Sequence, residues 1–233
     1  MSGQAEGGLE GHEESYREAV EASISFSGAG LDLFTRIKAD LLLELASTHV
    51  GAPGDLAFLD VGCGPGETDS FLAGRVGSLT GVDVSRGMVE RARRRNPWAE
   101  YRDYRPSEPI PYDDGSYDVC FAICVLHHVP PDQRPGLVAE MERLCRPGGL
   151  LLLLEHNPLN PLTRKAVRDC EFDRGVELLS RRAVTSLLEG VGLVPRGRYI
   201  EFFPRDSELL RRIEARLGWL PLGAQYAVFG QRP

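Results

Sequence analysis

The chain has 233 residues, with 27 basic against 34 acidic side chains and a formal net charge of −7. This length predicts one domain with appendages, and 42% hydrophobic with 26% charged residues is typical of a soluble globular protein. The negative charge argues against a protein that binds nucleic acid or an anionic membrane through bulk electrostatics.

Residues 1–14 are rich in Gly and Glu and are predicted to form a disordered tail. Residues 15–50 are predicted to be helical, and residues 51–54, with Pro53, end that segment. The apolar side chains of residues 15–50 recur at steps of three and four residues, at Leu31, Phe34, Ile37, Leu41, Leu42 and Leu45.

The centre of the chain alternates between strand-like and helix-like segments. Strands are predicted at 57–61, 79–82, 117–123 and 150–154, with helices from about Glu67 and at 85–95 and 133–145 and a turn at 146–149. This alternation predicts a doubly wound α/β domain. The final third is predicted as an irregular stretch (156–180), a helix (181–189), a strand (199–203), a helix (206–217) and a strand (225–229).

No secretory signal is expected, because the N-terminus is acidic and has no apolar stretch. The longest strongly apolar run, 150–154, is far shorter than the roughly 20 residues that a membrane-spanning helix needs. Cysteines are five in number, and Cys120 and Cys124 have no His-rich partner motif, so buried free thiols are expected and a zinc site or disulfide framework is not. These features predict a cytoplasmic protein without a metal site.

A glycine-rich turn follows the first predicted strand. Residues 59–66 read Leu-Asp-Val-Gly-Cys-Gly-Pro-Gly, and glycine at alternate positions permits a tight turn and close approach of a ligand to the backbone. Asp83 ends the next strand, where its carboxylate can bond the vicinal hydroxyls of a ribose. The pair predicts an adenosine-bearing cofactor at the carboxyl edge of the sheet.

The spacing of this turn distinguishes between cofactors. It reads Gly-x-Gly-x-Gly, whereas a dinucleotide site has Gly-x-Gly-x-x-Gly. Glu67 and Asp69 fall in the first turn of the predicted helix, where their carboxylates would repel a diphosphate. The sequence therefore favours a sulfonium with an amino-acid tail over NAD.

Five motifs in order, between Leu59 and about Glu155, carry a family resemblance. Besides the glycine motif they are residues 81–85 with Met88, 110–118, 125–129 and 143–149. The chain resembles the class I S-adenosylmethionine-dependent methyltransferases, of the small-molecule type in the methyltransferase-11 group. The resemblance implies a Rossmann-like seven-stranded, mostly parallel sheet with an antiparallel last strand and a helical N-terminal lid.

The resemblance also assigns residues to the cofactor. The glycine motif would face the methionine part of S-adenosylmethionine, Asp83 the ribose, and Asp103 the adenine amine, although Arg105 competes for that last position. The cofactor-binding residues expected on this basis are Asp60, Gly62, Cys63, Gly64, Gly66, Asp83, Val84, Met88, Asp103 and Ala122.

Candidate catalytic residues follow the fourth and fifth predicted strands. His127 is the first histidine of a Leu-His-His motif, and Glu155 and His156 follow the fifth predicted strand. An acid beside His127 would orient the imidazole and raise its basicity, which suits removal of a proton from an oxygen acceptor. His128 is expected to be structural, and residues 170–173 are equally consistent with a pocket wall and with simple packing.

The domain plan that follows is a single methyltransferase domain over 15–233. It divides into an N-terminal lid (15–50), a cofactor-binding half (55–155), a substrate-side insertion (156–180) and sheet completion (181–233). The expected reaction is O-methylation of a secondary-metabolite or sugar-like small molecule, with no nucleic-acid or membrane partner. N- or C-methylation, an NAD-dependent reductase and a silent cofactor-binding protein remain as alternatives.

Overall fold

The computed structural model describes residues 16–205 and 207–233, so the predicted tail at 1–14 lies outside the described residues. Its centre is one seven-stranded sheet with the strand order β3-β2-β1-β4-β5-β7-β6. The strands are β1 (Ala57–Val61), β2 (Ser78–Asp83), β3 (Glu100–Asp103), β4 (Tyr117–Ile123), β5 (Cys145–His156), β6 (Arg196–Ile200) and β7 (Gln225–Gln231).

Strand directions confirm the predicted fold class. β1 pairs in parallel with both β2 and β4, and β4 pairs in parallel with β5. β7 runs antiparallel to its two neighbours, β5 and β6. The result is a doubly wound sheet of six parallel strands in which the last strand of the chain is reversed.

Seven α-helices surround this sheet in the described part of the chain. They are α1 (Tyr16–Ile24), α2 (Leu31–His49), α3 (Arg86–Arg95), α4 (Arg134–Leu144), α5 (Pro161–Asp169), α6 (Arg181–Gly190) and α7 (Glu208–Leu217). None of the described helices has the length and apolar character needed to cross a bilayer.

The leucines of β5 explain why both faces of the sheet are covered. Successive strand side chains point to opposite faces. Leu151 and Leu153 join a buried cluster with residues of α4 and α6, whereas Leu150, Leu152 and Leu154 join a second cluster with residues of α2. The near-continuous apolar run is therefore that of a strand buried on both sides.

The helix predicted from about Glu67 is wrong. Only one short 3-10 turn, Asp69–Phe71, forms between β1 and β2. The side chains that would line the first helical turn are instead engaged in long-range bonds, because Glu67 binds two arginines, Asp69 accepts from Tyr101 and Ser70 donates to Asn96. Gly74, at φ +70°, then turns the chain toward β2.

The stretch 156–180, predicted as irregular, contains α5. The Asn160 side chain accepts from the backbone N–H groups of Leu162 and Thr163, and Pro161 occupies the first helical position. Asn before Pro is a signal for the start of a helix. The prediction gave more weight to the two X-Pro steps, because a residue before proline favours an extended backbone.

Three further boundaries differ from prediction. The turn at 146–149 lies inside β5 as a bulge, since the register jumps from Tyr117↔Cys145 to Val119↔Leu150. β6 ends at Ile200 because Glu201 adopts φ +60°, so the strand predicted at 199–203 lies earlier in the chain. The last long helix begins at Glu208, and Asp206 lies outside the described residues.

Candidate active site

The glycine loop, residues 62–66, connects β1 to the 3-10 turn at the carboxyl edge of the sheet. Gly62, Gly64 and Gly66 all have positive φ, between +51° and +78°. A Cβ on Gly62 would lie 2.5 Å from Cγ2 of Val125, whereas a Cβ on Gly64 would meet no atom within 4 Å. Gly62 is therefore needed for packing, and Gly64 borders open space in which a ligand can approach the backbone.

A buried polar network supports this loop from behind. Asn96 donates to the backbone oxygen of Gly66 (2.8 Å) and to the hydroxyl of Tyr101 (3.0 Å). Tyr101 in turn donates to Oδ2 of Asp69 at 2.7 Å, and Ser70 donates to Oδ1 of Asn96 at 2.9 Å. The network holds the end of the loop through side chains that are distant in sequence.

Two buried carboxyls, Asp60 and Asp69, lie next to each other beneath the loop. Burial raises the pKa of Asp60 well above its ordinary value, and the charge of Asp69 adds to the shift. Burial also raises the pKa of Asp69 to about 6, although the Tyr101 hydroxyl opposes the shift. One oxygen of Asp60, Oδ1, has no hydrogen-bond partner and can still bind a polar group.

Asp83 ends β2 and contacts the glycine loop directly. Its carboxylate accepts from the backbone N–H of Gly64 at 2.9 Å and from that of Ser85 at 2.8 Å. Burial raises its pKa, and these two backbone donors oppose the rise because they stabilise the charged form. The side chain thus ties the end of β2 to the centre of the loop.

The other expected cofactor residues occupy the same edge of the sheet. Val84 is half exposed (49%) although it is apolar, while Met88 is buried in α3. Asp103 is exposed at the end of β3, in register with Asp83. Cys63 and Ala122 are buried, and the five cysteines are free thiols, of which Cys124 is only half-buried.

Glu67 was predicted to repel a diphosphate, but its carboxylate is paired with two arginines. Its carboxylate pairs with Arg17 of α1 at 3.0 Å and with Arg95 of α3 at 2.8 Å. Asp69 faces the interior and is bonded to Tyr101. Because one carboxylate is neutralised and the other is turned inward, their predicted repulsion of a diphosphate is not supported.

His127 and Glu155 form a buried pair. Nδ1 of His127 lies 2.6 Å from Oε2 of Glu155, and the other carboxylate oxygen accepts from the backbone N–H groups of Val125 (3.0 Å) and Leu126 (2.7 Å). Burial alone would lower the pKa of His127, but Glu155 and then Asp173 outweigh it and raise the pKa to about 9. Glu155 keeps a pKa below its usual value because the imidazole outweighs the effect of burial.

Asp173 approaches the histidines from the segment after α5. Its Oδ1 lies 3.6 Å from Nε2 of His127 and 3.3 Å from Nε2 of His128. Burial favours its neutral form, but the two imidazoles outweigh burial and hold its pKa well below the usual range. The sequence marked residues 170–173 only as an ambiguous wall, and no local pattern indicated this contact.

His156, the third expected catalytic residue, lies beside this pair. Its ring centroid is 5.1 Å from that of His127, and its Nδ1 is 3.4 Å from the amide nitrogen of Gln225. Burial, with a contribution from His127, lowers its pKa to about 3. The imidazole of His156 is therefore neutral at neutral pH and offers hydrogen bonds without charge.

We call residues 16–24 together with residues 161–173 the cap, because these segments pack together next to the histidines. The ring of Tyr16 meets the ring of Phe172 edge-on, with centroids 5.2 Å apart. Arg17 connects the same helix to Glu67, just past the glycine loop. The cap thus contacts both the expected cofactor side and the expected acceptor side.

Comparison with known proteins finds similarity to methyltransferases. A family model described as a methyltransferase domain matches residues 59–153, which run from β1 into β5. The malonyl-[acyl-carrier protein] O-methyltransferase of Serratia marcescens is 30% identical over 139 residues, which cover 58% of this chain and 52% of that protein. The 27-O-demethylrifamycin SV methyltransferase of Amycolatopsis mediterranei is 38% identical over 101 residues, covering 41% of this chain and 36% of that protein. The chain spans about half or less of the length of these relatives.

Solved structures share the fold. The geranyl diphosphate C-methyltransferase of Streptomyces coelicolor, solved with Mg²⁺, geranyl diphosphate and S-adenosyl-L-homocysteine, superposes with a TM-score of 0.61 at 18% identity. The match covers 84% of this chain and 77% of that chain. A possible histamine N-methyltransferase of Thermotoga maritima gives a TM-score of 0.62 at 17% identity, over 86% and 92% of the two chains.

Proposed function

We propose that the chain, which matches a methyltransferase domain over residues 59–153, is a class I S-adenosylmethionine-dependent enzyme that transfers the methyl group of S-adenosylmethionine to an oxygen atom of a small molecule. The observation that carries the choice of oxygen is the buried contact of 2.6 Å between His127 and Glu155. Such a pair can take the proton that an alcohol or phenol must lose. A neutral amine, by contrast, can attack the methyl group without first losing a proton.

The residues at the carboxyl edge of the sheet fit this cofactor. The open space at Gly64 leaves room beside the backbone, and the unpartnered Oδ1 of buried Asp60 suits a cationic amine, directly or through water. Asp83, at the end of β2, would bind the ribose hydroxyls. S-adenosylmethionine, when bound, supplies an electrophilic methyl group on a sulfonium.

Each remaining cofactor residue has a proposed position. Gly62, Gly64 and Gly66, with Cys63 between them, would border the methionine part, and the backbone of Ala122 would face its amine. Val84 and Met88 would pack near the adenine, which accounts for an apolar side chain left half exposed at Val84. Asp103 would meet the adenine amine from the end of β3.

On the acceptor side, Glu155 would act through His127. Three hydrogen bonds fix the carboxylate of Glu155, so it holds the imidazole with Nε2 directed away from the strand end. In this proposal Nε2 of His127, after it has lost its own proton, accepts the proton of the acceptor hydroxyl as the methyl group is transferred. His156, neutral and adjacent, would line the acceptor pocket, since it contributes hydrogen-bonding capacity but no charge.

The acceptor is proposed to be a secondary metabolite or a sugar-like intermediate. Two relatives bear names that specify O-methylation, and one of them acts on a rifamycin, as its name states. We further propose a single methyltransferase domain over 15–233, with 15–50 as the lid and 156–180 as the substrate-side insertion, in a cytoplasmic enzyme of natural-product biosynthesis.

Two measurements test the proposal. Isothermal titration calorimetry with S-adenosylmethionine and with NADH, side by side, should show binding of the former; tighter binding of NADH would contradict a methyltransferase. Release of S-adenosylhomocysteine, followed over a panel of phenols, alcohols, amines and acidic carbon compounds, should be confined to the hydroxyl compounds. Turnover of amines or carbon acids alone would establish N- or C-methylation, and cofactor binding without turnover of any acceptor class would favour a silent cofactor-binding protein.

Substitutions then test the pair. His127→Gln and Glu155→Gln should each lower turnover by roughly 100-fold, the lower end of what general acid–base catalysis contributes. Asp132→Asn changes an exposed carboxylate after the Leu-His-His motif and serves as the control. If both site variants keep the turnover of the unchanged protein, the proposed base is wrong although the methyltransferase activity stands.

A further inference from the structure

The imidazole of His127 is flanked by a carboxylate at each ring nitrogen. Glu155 lies 2.6 Å from Nδ1, and Asp173 lies 3.6 Å from Nε2. The two acids have different supports, because Glu155 belongs to a central strand and Asp173 to a surface segment of the cap. Only the first of the two is fixed by the sheet.

The cap determines where Asp173 lies. Its neighbour Phe172 packs on the ring of Tyr16 in α1, and α5 ends just before this turn. The side chain of Asp173 retains 14% exposure and contacts the half-exposed His128 as well as the buried His127. Asp173 therefore lies between solvent and the histidine pair, on a segment seated against another helix.

We propose that Asp173 is a positioning residue of the acceptor site, brought against Nε2 of His127 by the cap and displaced from it by the incoming acceptor. This inference deepens the proposed function and rests on it for the role of His127. A base must lie within hydrogen-bond reach of the proton that it removes. In the structure, the carboxylate of Asp173 faces the same nitrogen that the acceptor hydroxyl has to reach.

Displacement has a defined effect on the imidazole. With both carboxylates in place the ring holds a proton at each nitrogen, because each negative charge favours the cation. When Asp173 leaves Nε2, the ring loses one of these neighbouring charges, its pKa falls, and the Nε2 proton passes to water in a larger fraction of the molecules. The neutral nitrogen then accepts the hydroxyl proton of the acceptor, so His127 becomes a base as the acceptor arrives.

Other charged or titratable groups surround the pair. Those that face His127 or its partners from neighbouring elements are Glu155 and His156 of β5, His128 of the same turn, Asp173 and Tyr16 of the cap, Lys38 of α2 and Cys124 at the end of β4. Among these, only Glu155 and Asp173 act as the main causes that raise the pKa of His127. A substitution at either acid should therefore change how this imidazole titrates.

The experiment is an NMR titration of the histidine imidazoles in the full chain, kept in EDTA, with the His127 signal assigned from the His127→Gln variant. The unchanged protein should show His127 titrating near pH 9. Asp173→Asn should lower that midpoint by about one pH unit or more. Asp169→Asn, which removes a carboxylate from α5 of the same segment that pairs with Lys165, should leave it unchanged.

A second variant keeps the test decisive if Asp173→Asn does not fold. Phe172→Ala retains the carboxylate but removes its ring contact with Tyr16, and should also lower the midpoint. An unchanged midpoint in either folded variant would overturn the proposal. The donor atoms of His127, His128 and Asp173 lie within 4.8 Å of one another. In a separate sample without EDTA, a response of the two histidines to one equivalent of ZnCl₂, together with no effect of Asp173→Asn on the titration, would also overturn the proposal.

These readouts need neither cofactor nor acceptor. Failure of S-adenosylmethionine to bind in calorimetry would contradict the proposed function but not the contact of Asp173 with His127. An unchanged His127 midpoint in Asp173→Asn, with cofactor binding retained, would instead contradict the role of Asp173.

Discussion

His127 and Glu155, 28 residues apart in the chain, are joined by a contact of 2.6 Å between Nδ1 and Oε2 at the carboxyl edge of the sheet. Both side chains are almost fully buried, with exposures of 1% and 2%. Two charges in such a place persist only when each is paired and hydrogen-bonded. Here the carboxylate accepts from the imidazole and from two backbone N–H groups, so the burial of the charge is compensated.

The first prediction concerns how this pair affects stability with pH. Because the pKa of His127 rises from 6.5 to about 9 on folding, protonation of the ring stabilises the fold below pH 6.5, and this stabilisation is lost as the pH rises through 9. A shift of this size corresponds to about 3 kcal/mol. The difference in unfolding free energy between the unchanged protein and His127→Gln should therefore be largest at pH 5.5–6.5 and shrink toward pH 9.5.

Urea unfolding at a series of pH values measures this difference. His49→Gln, at the C-terminal end of α2 where the ring packs against Phe229, is the matched histidine-to-glutamine control outside the site. A constant difference for His127→Gln across the range would mean that the two carboxylates do not hold the ring as a cation.

The second prediction concerns the carboxyl pair of Asp60 and Asp69. Burial raises both pKa values, so ionisation costs the folded state stability as the pH rises above the ordinary range of a carboxyl. Asp60→Asn removes one of the two acids and should stabilise the ligand-free protein more at pH 8 than at pH 5. The same change should weaken S-adenosylmethionine binding.

Thermal unfolding at the two pH values, paired with calorimetry, checks both halves of this prediction. Asp118→Asn is the contrasting variant, because Asp118 accepts from Arg146 and from the backbone of Ala57, and its loss should destabilise. Destabilisation by Asp60→Asn at pH 8 would show that the two carboxyls do not strain the fold.

The third prediction separates packing from ligand space in the glycine loop. Gly64→Ala should cost roughly 1–2 kcal/mol of stability from its left-handed backbone and should weaken S-adenosylmethionine binding at least about tenfold, since the new methyl enters the open space. Gly74→Ala has a similar φ of +70° and also meets no atom within 4 Å, but lies outside the loop. It should lose similar stability and keep its cofactor affinity.

Gly62→Ala completes the comparison. Its methyl would lie 2.5 Å from Val125, so it should destabilise by roughly 1–3 kcal/mol beyond the other two variants. Calorimetry and urea unfolding on the three proteins give the result. Equal cofactor affinities for Gly64→Ala and Gly74→Ala would place the cofactor elsewhere.

The fourth prediction concerns Asp83. Replacement by Ala should weaken S-adenosylmethionine binding by roughly 1.5–3 kcal/mol, the scale of hydrogen bonds to a charged group. The variant also frees the N–H of Gly64, so part of the loss comes from the loop itself. Asp132→Ala, an exposed acid far from the loop in sequence, is the control, and an unchanged dissociation constant for Asp83→Ala would mean that the ribose lies elsewhere.

Local pattern was sufficient for much of this fold. The strands predicted at 57–61 and 117–123 match β1 and β4 at both ends, because short apolar runs between turn residues are typical of buried central strands. The glycine turn after β1 and the position of Asp83 at the end of the next strand were also predicted, since both depend on local spacing, although no α-helix follows the turn. The contact of His127 with Glu155 could be anticipated because neighbouring parallel strands bring their carboxyl ends together.

What sequence did not predict depends on partners that are distant in the chain. No helix forms after Glu67 because Glu67 binds Arg17 and Arg95 and Asp69 accepts from Tyr101. No local periodicity in the sequence indicates these partners. Asp173 reaches His127 because α5 forms and the ring of Phe172 packs against that of Tyr16. These contacts are tertiary, and a single sequence contains no spacing rule for them.

Tyr16 and Arg17 are consecutive residues whose side chains diverge by about 100° around the axis of α1. One meets Phe172 beside the histidines, and the other meets Glu67 beside the glycine loop. A single helix therefore contacts both the histidine side and the glycine-loop side of the site. A displacement of α1 would break both contacts together, so the two sides are mechanically coupled through this helix.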